Sequence, residues 1–194
     1  EPMPTTLLQR LSVELPWVRL HQTYGLIELG VLRSKSRSND SVWVKLGGEG
    51  FETPVVNGLL EIKAQSAMLG YLNAPSPFTE DGWFRTGDAV EVDGEYFRII
   101  GRASELINVG GEKVYPQEVE ALILEAGNIA EVTVYGERNA LVGNIVCARV
   151  RLAEPEERDA VAIRVKRFCR ERLPSYKVPV KIVVDDQAQH GDRF

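Results

Sequence analysis

The sequence predicts an α+β protein: a β-rich first half shaped as a distorted barrel, then a smaller α+β second half. Three observations predict it. From Val42 to Ile100, short apolar segments alternate with turn residues, and Asn57-Gly58 between two such segments is the strongest short hairpin signal. After Pro116 the spacing changes, with Val119, Leu122, Ile123 and Ala126 at i, i+3, i+4 and i+7 of an amphipathic helix. Between the two lies Gly101–Glu120, which reads as strand, break, strand, glycine loop and helix start.

In chain order, Thr6 and Gln9 have capping-box spacing. Leu7, Leu8, Leu11 and Leu15 continue a helix that Pro16 stops. Trp17–Gln22 alternates like a short strand and leads into Thr23–Glu28, a glycine turn carrying an aromatic and a carboxylate. The polar run Arg33–Asp40 predicts a solvated loop. Val42–Leu46, Val55-Val56 and Leu59–Lys63 predict strands. Trp83 and Phe84 are expected core anchors, and Thr86-Gly87-Asp88 a tight turn presenting a carboxylate. Asp93-Gly94 turns the chain into a strand at Tyr96–Ile100.

Gly101-Arg102-Ala103-Ser104 breaks that strand, Leu106–Val109 resumes it, and Gly110-Gly111 forces a turn. Pro116 suits the first position of a helix, with Glu118 and Glu120 complementing its N-terminal dipole. That helix is expected over Pro116–Ala126, with Gly127 as its cap. Strands follow at Ile129–Tyr135 and Asn144–Leu152. A second helix is expected from Pro155 to Pro174, burying Val161, Val165, Phe168, Cys169 and Leu173 and leaving Arg164–Arg172 as a solvated face. Lys181–Val184 is the last strand of a three-stranded sheet with both helices on one side.

Hydrophobic residues at 44% and charged residues at 26% are ordinary for a globular chain of 194 residues, long enough for one large domain or two small ones. A net charge of −5 argues against broad binding to nucleic acid or anionic membranes. No apolar run approaches the roughly 20 residues of a membrane span. The start, Glu1-Pro2-Met3-Pro4, reads as a cut into a longer chain rather than a signal peptide. Cys147 and Cys169 fall in a predicted strand and helix, as buried reduced thiols of a cytoplasmic protein. His21 and His190 join no Cys/His cluster, so no zinc site is expected.

Four stretches in order carry a family resemblance: Thr23-Tyr24-Gly25-Leu26-Ile27-Glu28, Gly82–Asp88, Gly101–Glu120 and Leu173–Pro179. Together they resemble the adenylate-forming superfamily of acyl-CoA synthetases, peptide-synthetase adenylation domains and luciferases, over essentially the whole chain. The spacing of Gly58–Ile62 and Gly70-Tyr71 fits the same pattern, with structural roles only. The resemblance implies the C-terminal part of a large nucleotide-binding domain over 1–101, a hinge over 102–104 and a small C-terminal lid domain over 105–194.

It also implies site residues. Tyr24, with Gly25, would pack its flat ring on adenine. Glu28 would hold Mg²⁺. Asp88 would accept the ribose hydroxyls, and Arg102 would contact the nucleotide or an acidic partner. Ser104 would be the hinge, and Val109, Gly110, Gly111 and Glu112 would line a thiol channel. Two positions depart from the pattern: Ile27 replaces a Thr that contacts phosphate, and Ser104 replaces an Asp. The essential Lys of the superfamily would fall beyond Phe194; Lys177 and Lys181 lie too early, and His190 and Arg193 match nothing, so no catalytic residue is assigned within the chain.

The implied activity is carboxylate activation by ATP to an acyl-adenylate, then acyl transfer to the thiol of CoA or a carrier-protein pantetheine. The piece alone is expected to be inactive, because the phosphate loop is absent from it. The alternatives are an adenylation subunit serving an acyl carrier protein and a degenerate, non-catalytic adenylate-binding module. Expected partners are thus a small carboxylic acid and CoA or a carrier protein, without nucleic acid or a membrane span.

Overall fold

The structure, a computed structural model, describes residues 3–185. The chain divides into two compact units, Glu1–Ser104 and Glu105–Phe194. His190 and Arg193 lie outside the described residues.

The first unit opens with helix α1 (Thr5–Glu14), which buries Leu8. The expected capping box does not form. Pro4 occupies the N-cap and its carbonyl takes the N–H groups of Leu7 and Leu8, each at 3.1 Å, which places Thr6 inside the helix. Trp17–Gln22 is not a strand either, because its backbone groups are satisfied by side chains. The Leu20 N–H donates to Asn39 Oδ1 at 3.2 Å, Asn39 Nδ2 donates to the Val18 carbonyl at 2.8 Å, and the Gln22 N–H donates to Ser36 Oγ at 2.9 Å.

A two-stranded hairpin of β1 (Gly25–Leu26) and β2 (Gly30–Val31) comes next. Seven further strands form one antiparallel sheet: β3 (Arg33–Ser36), β4 (Val44–Gly47), β5 (Phe51–Glu52), β6 (Val55–Val56), β7 (Leu59–Ala64), β8 (Phe84–Asp93) and β9 (Tyr96–Arg102). Their order is β3-β4-β9-β8-β7-β5 with β6 also on β7, a curled half-barrel whose end strands do not meet. Asn57 and Gly58 have φ of 53° and 80°, the left-handed pair a tight two-residue hairpin needs. The core holds Leu29, Leu32, Leu60, Ile62 and Phe84, while Trp83 is only half-buried, with Lys63 Nζ 5.3 Å from its ring centroid.

Two expectations change here. The polar run from Arg33 forms edge strand β3, where charged residues are tolerated because one side faces solvent. Arg37, at its end, stacks 4.4 Å from the Tyr96 ring centroid and bonds Asp93 Oδ2 at 2.8 Å. Thr86-Gly87-Asp88 is not a turn between elements but an irregularity inside β8. Leu59 faces Ala89 and Glu61 faces Arg85, so β8 carries extra residues between these pairs. Gly87 supplies the φ of 74° that this requires.

The second unit contains β10 (Ile107–Val109), β11 (Glu112–Val114), α2 (Pro116–Ile123), β12 (Ile129–Asn139), β13 (Gly143–Leu152), α3 (Arg158–Arg170) and β14 (Lys181–Val184). The sheet has five strands rather than three, since the β10–β11 hairpin joins it through Val109 opposite Gly143. β12 and β13 form a long antiparallel pair, and β14 runs parallel to β13. Val119 and Ile123 of α2 and Val161, Val165 and Cys169 of α3 share one core with Val134, Val146, Ala148 and Val150 of the sheet.

Helix α2 tightens into a 3-10 turn at Leu124–Ala126 before Gly127, whose φ is 74°. Helix α3 begins three residues later than Pro155. The Glu157 carboxylate accepts the N–H groups of Asp159 and Ala160 at 3.0 and 2.6 Å, and so fixes the start. It ends at Arg170, ahead of Pro174. Glu120 does not serve the helix dipole at the surface. It is buried and accepts the Val134 N–H at 2.7 Å. Arg164 is no solvated cation: it donates to the carbonyls of Ala126 and Gly127 and pairs with Glu156 at 2.7 Å. Cys147 and Cys169 are free and buried; burial pushes the Cys169 thiol up to about 11.

Candidate nucleotide site and glycine loop

Tyr24 is set at the mouth of the β1–β2 hairpin, where its carbonyl accepts the Leu32 N–H at 3.2 Å. The turn spans Ile27 to Leu29 and its positive φ, 82°, belongs to Gly30; Gly25 is an exposed strand residue rather than the turn glycine. Leu29 is fully buried and pins the turn, which leaves Ile27 fully exposed and Glu28 half-buried at its tip.

Asp88 is 4% exposed. The irregularity in β8 turns it inward. Thr86 Oγ1 donates to the Leu60 carbonyl at 2.8 Å and accepts the Asp88 N–H at 3.0 Å, so one hydroxyl locks both sides of Gly87. Arg102 lies opposite Asp88 in the β8–β9 ladder and brings Nε to 3.2 Å from Oδ1. The Tyr24 hydroxyl donates to Oδ2 at 2.5 Å. Burial, then the Asp88 charge, push the Tyr24 phenol well above its ordinary range, so it stays a neutral donor. Two residues distant in sequence, Tyr24 and Arg102, therefore converge on one carboxylate. A carboxylate has about four lone-pair positions, and Tyr24 and Arg102 occupy two, leaving acceptor capacity for further hydroxyl donors.

Glu28 does not join that cluster's hydrogen bonds. Its Oε1 accepts the Tyr71 hydroxyl, and this bond raises the Tyr71 phenol. Among the described residues no group of three or more His, Cys, Asp or Glu side chains is placed to hold a metal ion. Glu28 thus fits one coordination position of a Mg²⁺ that arrives on a nucleotide, since Mg²⁺ takes one or two carboxylates beside phosphates and waters.

Ser104 lies in a 3-10 turn, Ala103–Glu105, at the end of the first unit; it is exposed and its hydroxyl has no partner among the described residues. In the second unit Gly110 and Gly111, with φ of 60° and 95°, form the β10–β11 turn between Val109 and Glu112. The Gly111 N–H donates to Asn108 Oδ1 at 2.9 Å, and the Gly110 N–H to the Val142 carbonyl at 2.8 Å. Asn144 Nδ2 holds the Asn108 carbonyl at 3.0 Å, so the loop is braced by the β12–β13 turn. Lys177 is taken up by Glu118 at 2.6 and 2.8 Å, an ion pair that ties the segment after α3 to the start of α2.

A family model described as the AMP-binding enzyme C-terminal domain matches residues 118–190. The 2-succinylbenzoate–CoA ligase of Geobacillus kaustophilus is 33% identical over 96% of this chain and 41% of its own length. The mitochondrial medium-chain acyl-CoA ligase ACSF2 of Bos taurus is 30% identical over 94% of this chain and 33% of its own. Among solved structures, o-succinylbenzoate CoA synthetase from Bacillus subtilis, in complex with its acyl-adenylate intermediate, superposes with a TM-score of 0.78 at 25% identity, over 96% of this chain and 41% of that one. The chain belongs to the adenylate-forming superfamily.

It spans well under half the length of these superfamily members. The family model falls in the second unit, whereas the likeness in sequence and structure runs through both. Superfamily motifs in the sequence pointed to Tyr24, Asp88 and Arg102, which the structure brings together. They did not point to Thr86 as the lock behind Asp88 or to Tyr71 as the partner of Glu28. Thr86 had a local signal, a hydroxyl two residues from the carboxylate it supports. Tyr71 had none, because its contact spans 43 residues.

Proposed function

We propose that this chain is the C-terminal portion of an ATP-dependent carboxylate-activating ligase, which forms an acyl-adenylate and passes the acyl group to the thiol of CoA. The observation that carries the reading is the buried Asp88 carboxylate, held on one oxygen by Tyr24 and on the other by Arg102. Such a group is shaped to accept the two hydroxyls of a ribose diol. The Tyr24 ring rests partly on the core, and its hydroxyl bond to Asp88 fixes the ring plane for stacking on adenine, beside exposed Gly25. Arg102 pairs with Asp88 and orients it. Glu28 holds one position on nucleotide-borne Mg²⁺, which when bound neutralises phosphate charge. Ser104 acts as the hinge that lets the second unit serve two half-reactions, and the Val109–Glu112 loop, free of Cβ atoms at Gly110 and Gly111, lines the path of the thiol arm.

None of these residues is a nucleophile or proton carrier. Their work is positioning and charge placement, so residues 1–194 by themselves carry no catalysis in this reading. CoA is favoured over a carrier protein as acceptor because the curated relatives are CoA ligases. One observation favours a degenerate adenylate-binding module instead: Ile27 offers only a fully exposed apolar side chain where the superfamily pattern has a hydroxyl.

The site is tested by ribose discrimination in the complete protein. The wild type is expected to bind ATP about tenfold or more tightly over 2′-deoxy-ATP, the worth of a hydrogen bond to a charged group. Asp88→Asn should remove most of that preference. Equal preference in both proteins would show that Asp88 does not read the ribose.

A further inference from the structure

The segment from Ser66 to Tyr71 leaves β7 and runs back along the Ile27–Leu29 turn. Three hydrogen bonds lace the two together. The Ser66 hydroxyl donates to the Leu29 carbonyl at 2.8 Å, the Met68 N–H donates to the Glu28 carbonyl at 2.8 Å, and the Tyr71 hydroxyl donates to Glu28 Oε1. Both strands of the lace share a foundation, since Leu29 is part of the first unit's core and Met68 packs against it. The strap therefore fixes the backbone of Glu28 through Met68 and its side chain through Tyr71. Among the described residues no Lys, Arg or His pairs with Glu28, and one of its carboxylate oxygens is engaged by a neutral donor. Carboxylates that bind metals are commonly held in this way by an outer hydrogen-bond partner, whose loss weakens the metal about 10- to 100-fold.

We propose that Tyr71 is a positioning residue for Glu28: through its hydroxyl bond to Oε1, on a strap anchored by Ser66 and Met68, it orients the carboxylate toward a divalent cation carried by the nucleotide. The proposal rests on the reading of Glu28 as a metal ligand. Tyr71 touches neither cation nor substrate; it acts through Glu28. Its ring is 45% exposed, so Tyr71→Phe removes the hydroxyl while leaving the packing in place.

The test uses the complete protein with Mn²⁺ and ATP, reading bound Mn²⁺ by electron paramagnetic resonance. Tyr71→Phe is expected to weaken Mn²⁺ in the ATP complex about tenfold, with the affinity for metal-free ATP and the thermal midpoint unchanged. In a Glu28→Gln background the same substitution should add nothing. If Tyr71→Phe binds Mn²⁺ as the wild type does while Glu28→Gln is weakened, the positioning role is overturned and the metal role of Glu28 stands. If the Tyr71→Phe loss persists in the Glu28→Gln background, Tyr71 acts by another route and the proposal fails. If Glu28→Gln itself binds Mn²⁺ normally, the metal reading falls and the proposal falls with it.

Discussion

A carboxylate buried to the extent of Asp88 would be costly if unpaired, and its neighbours show how the cost is met. Arg102 supplies charge, Tyr24 a neutral donor and Thr86 a backbone lock. Tyr24→Phe should therefore leave Oδ2 short of a partner and destabilise the first unit by about 1–3 kcal/mol in urea unfolding. The same contact predicts a pH dependence. Because the Tyr24 phenol is raised above its ordinary 10.0, the neutral form is favoured in the folded state. That contribution is whole below pH 10 and is lost as the pH rises beyond it. The alkaline fall in the unfolding midpoint should be shallower in Tyr24→Phe than in the wild type. At this scale the sequence was informative where a motif names the residue, as at Asp88, and silent where a partner comes from a distant loop, as at Tyr71.

Among the elements, the helices and most of the strands that periodicity announces are present, and the differences lie where side chains change the backbone's partners. Trp17–Gln22 alternates like a strand, yet Asn39 and Ser36 take its backbone groups. Thr86–Asp88 has turn chemistry but spends it on a strand irregularity, because β7 and β9 flank it on both sides. The cationic face of α3 looks solvated in one dimension, whereas Arg164 reaches the carbonyls that close the Leu124–Ala126 turn. Arg164→Met should leave those carbonyls without their side-chain donor and lower stability by about 1–3 kcal/mol, measured by thermal or urea unfolding, while Glu156 keeps its bond from Asn128. Glu156 is held below its ordinary 4.5, first by Asn128 and then by Arg164. Its contribution is present above pH 4.5 and lost as the pH falls, so the deficit of the Arg164→Met protein should narrow in acid.

For the molecule as a whole, the chain's two compact units meet in sequence at Ser104 and Glu105. The superfamily reading makes that junction a hinge, and Ser104 carries no side-chain bond there among the described residues to hold one conformation. Ser104→Pro in the complete protein would restrict φ and should impair adenylation and thioester formation unequally. Equal losses in both half-reactions would make Ser104 an ordinary linker residue. The α+β class and its β-rich first half were legible because hairpin turns and helix spacing are local signals. The joining of the β10–β11 hairpin to the second sheet was not, since it depends on Val109 meeting Gly143 across the chain.

The most direct measurement of the central claim is ATP–pyrophosphate exchange by the complete protein against a panel of carboxylic acids. Exchange that depends on one class of acid, and that falls by at least 100-fold in Asp88→Ala, is the predicted result. Absence of exchange with every acid, alongside retained binding of an acyl-adenylate analogue, would contradict it and establish a binding module in place of a ligase.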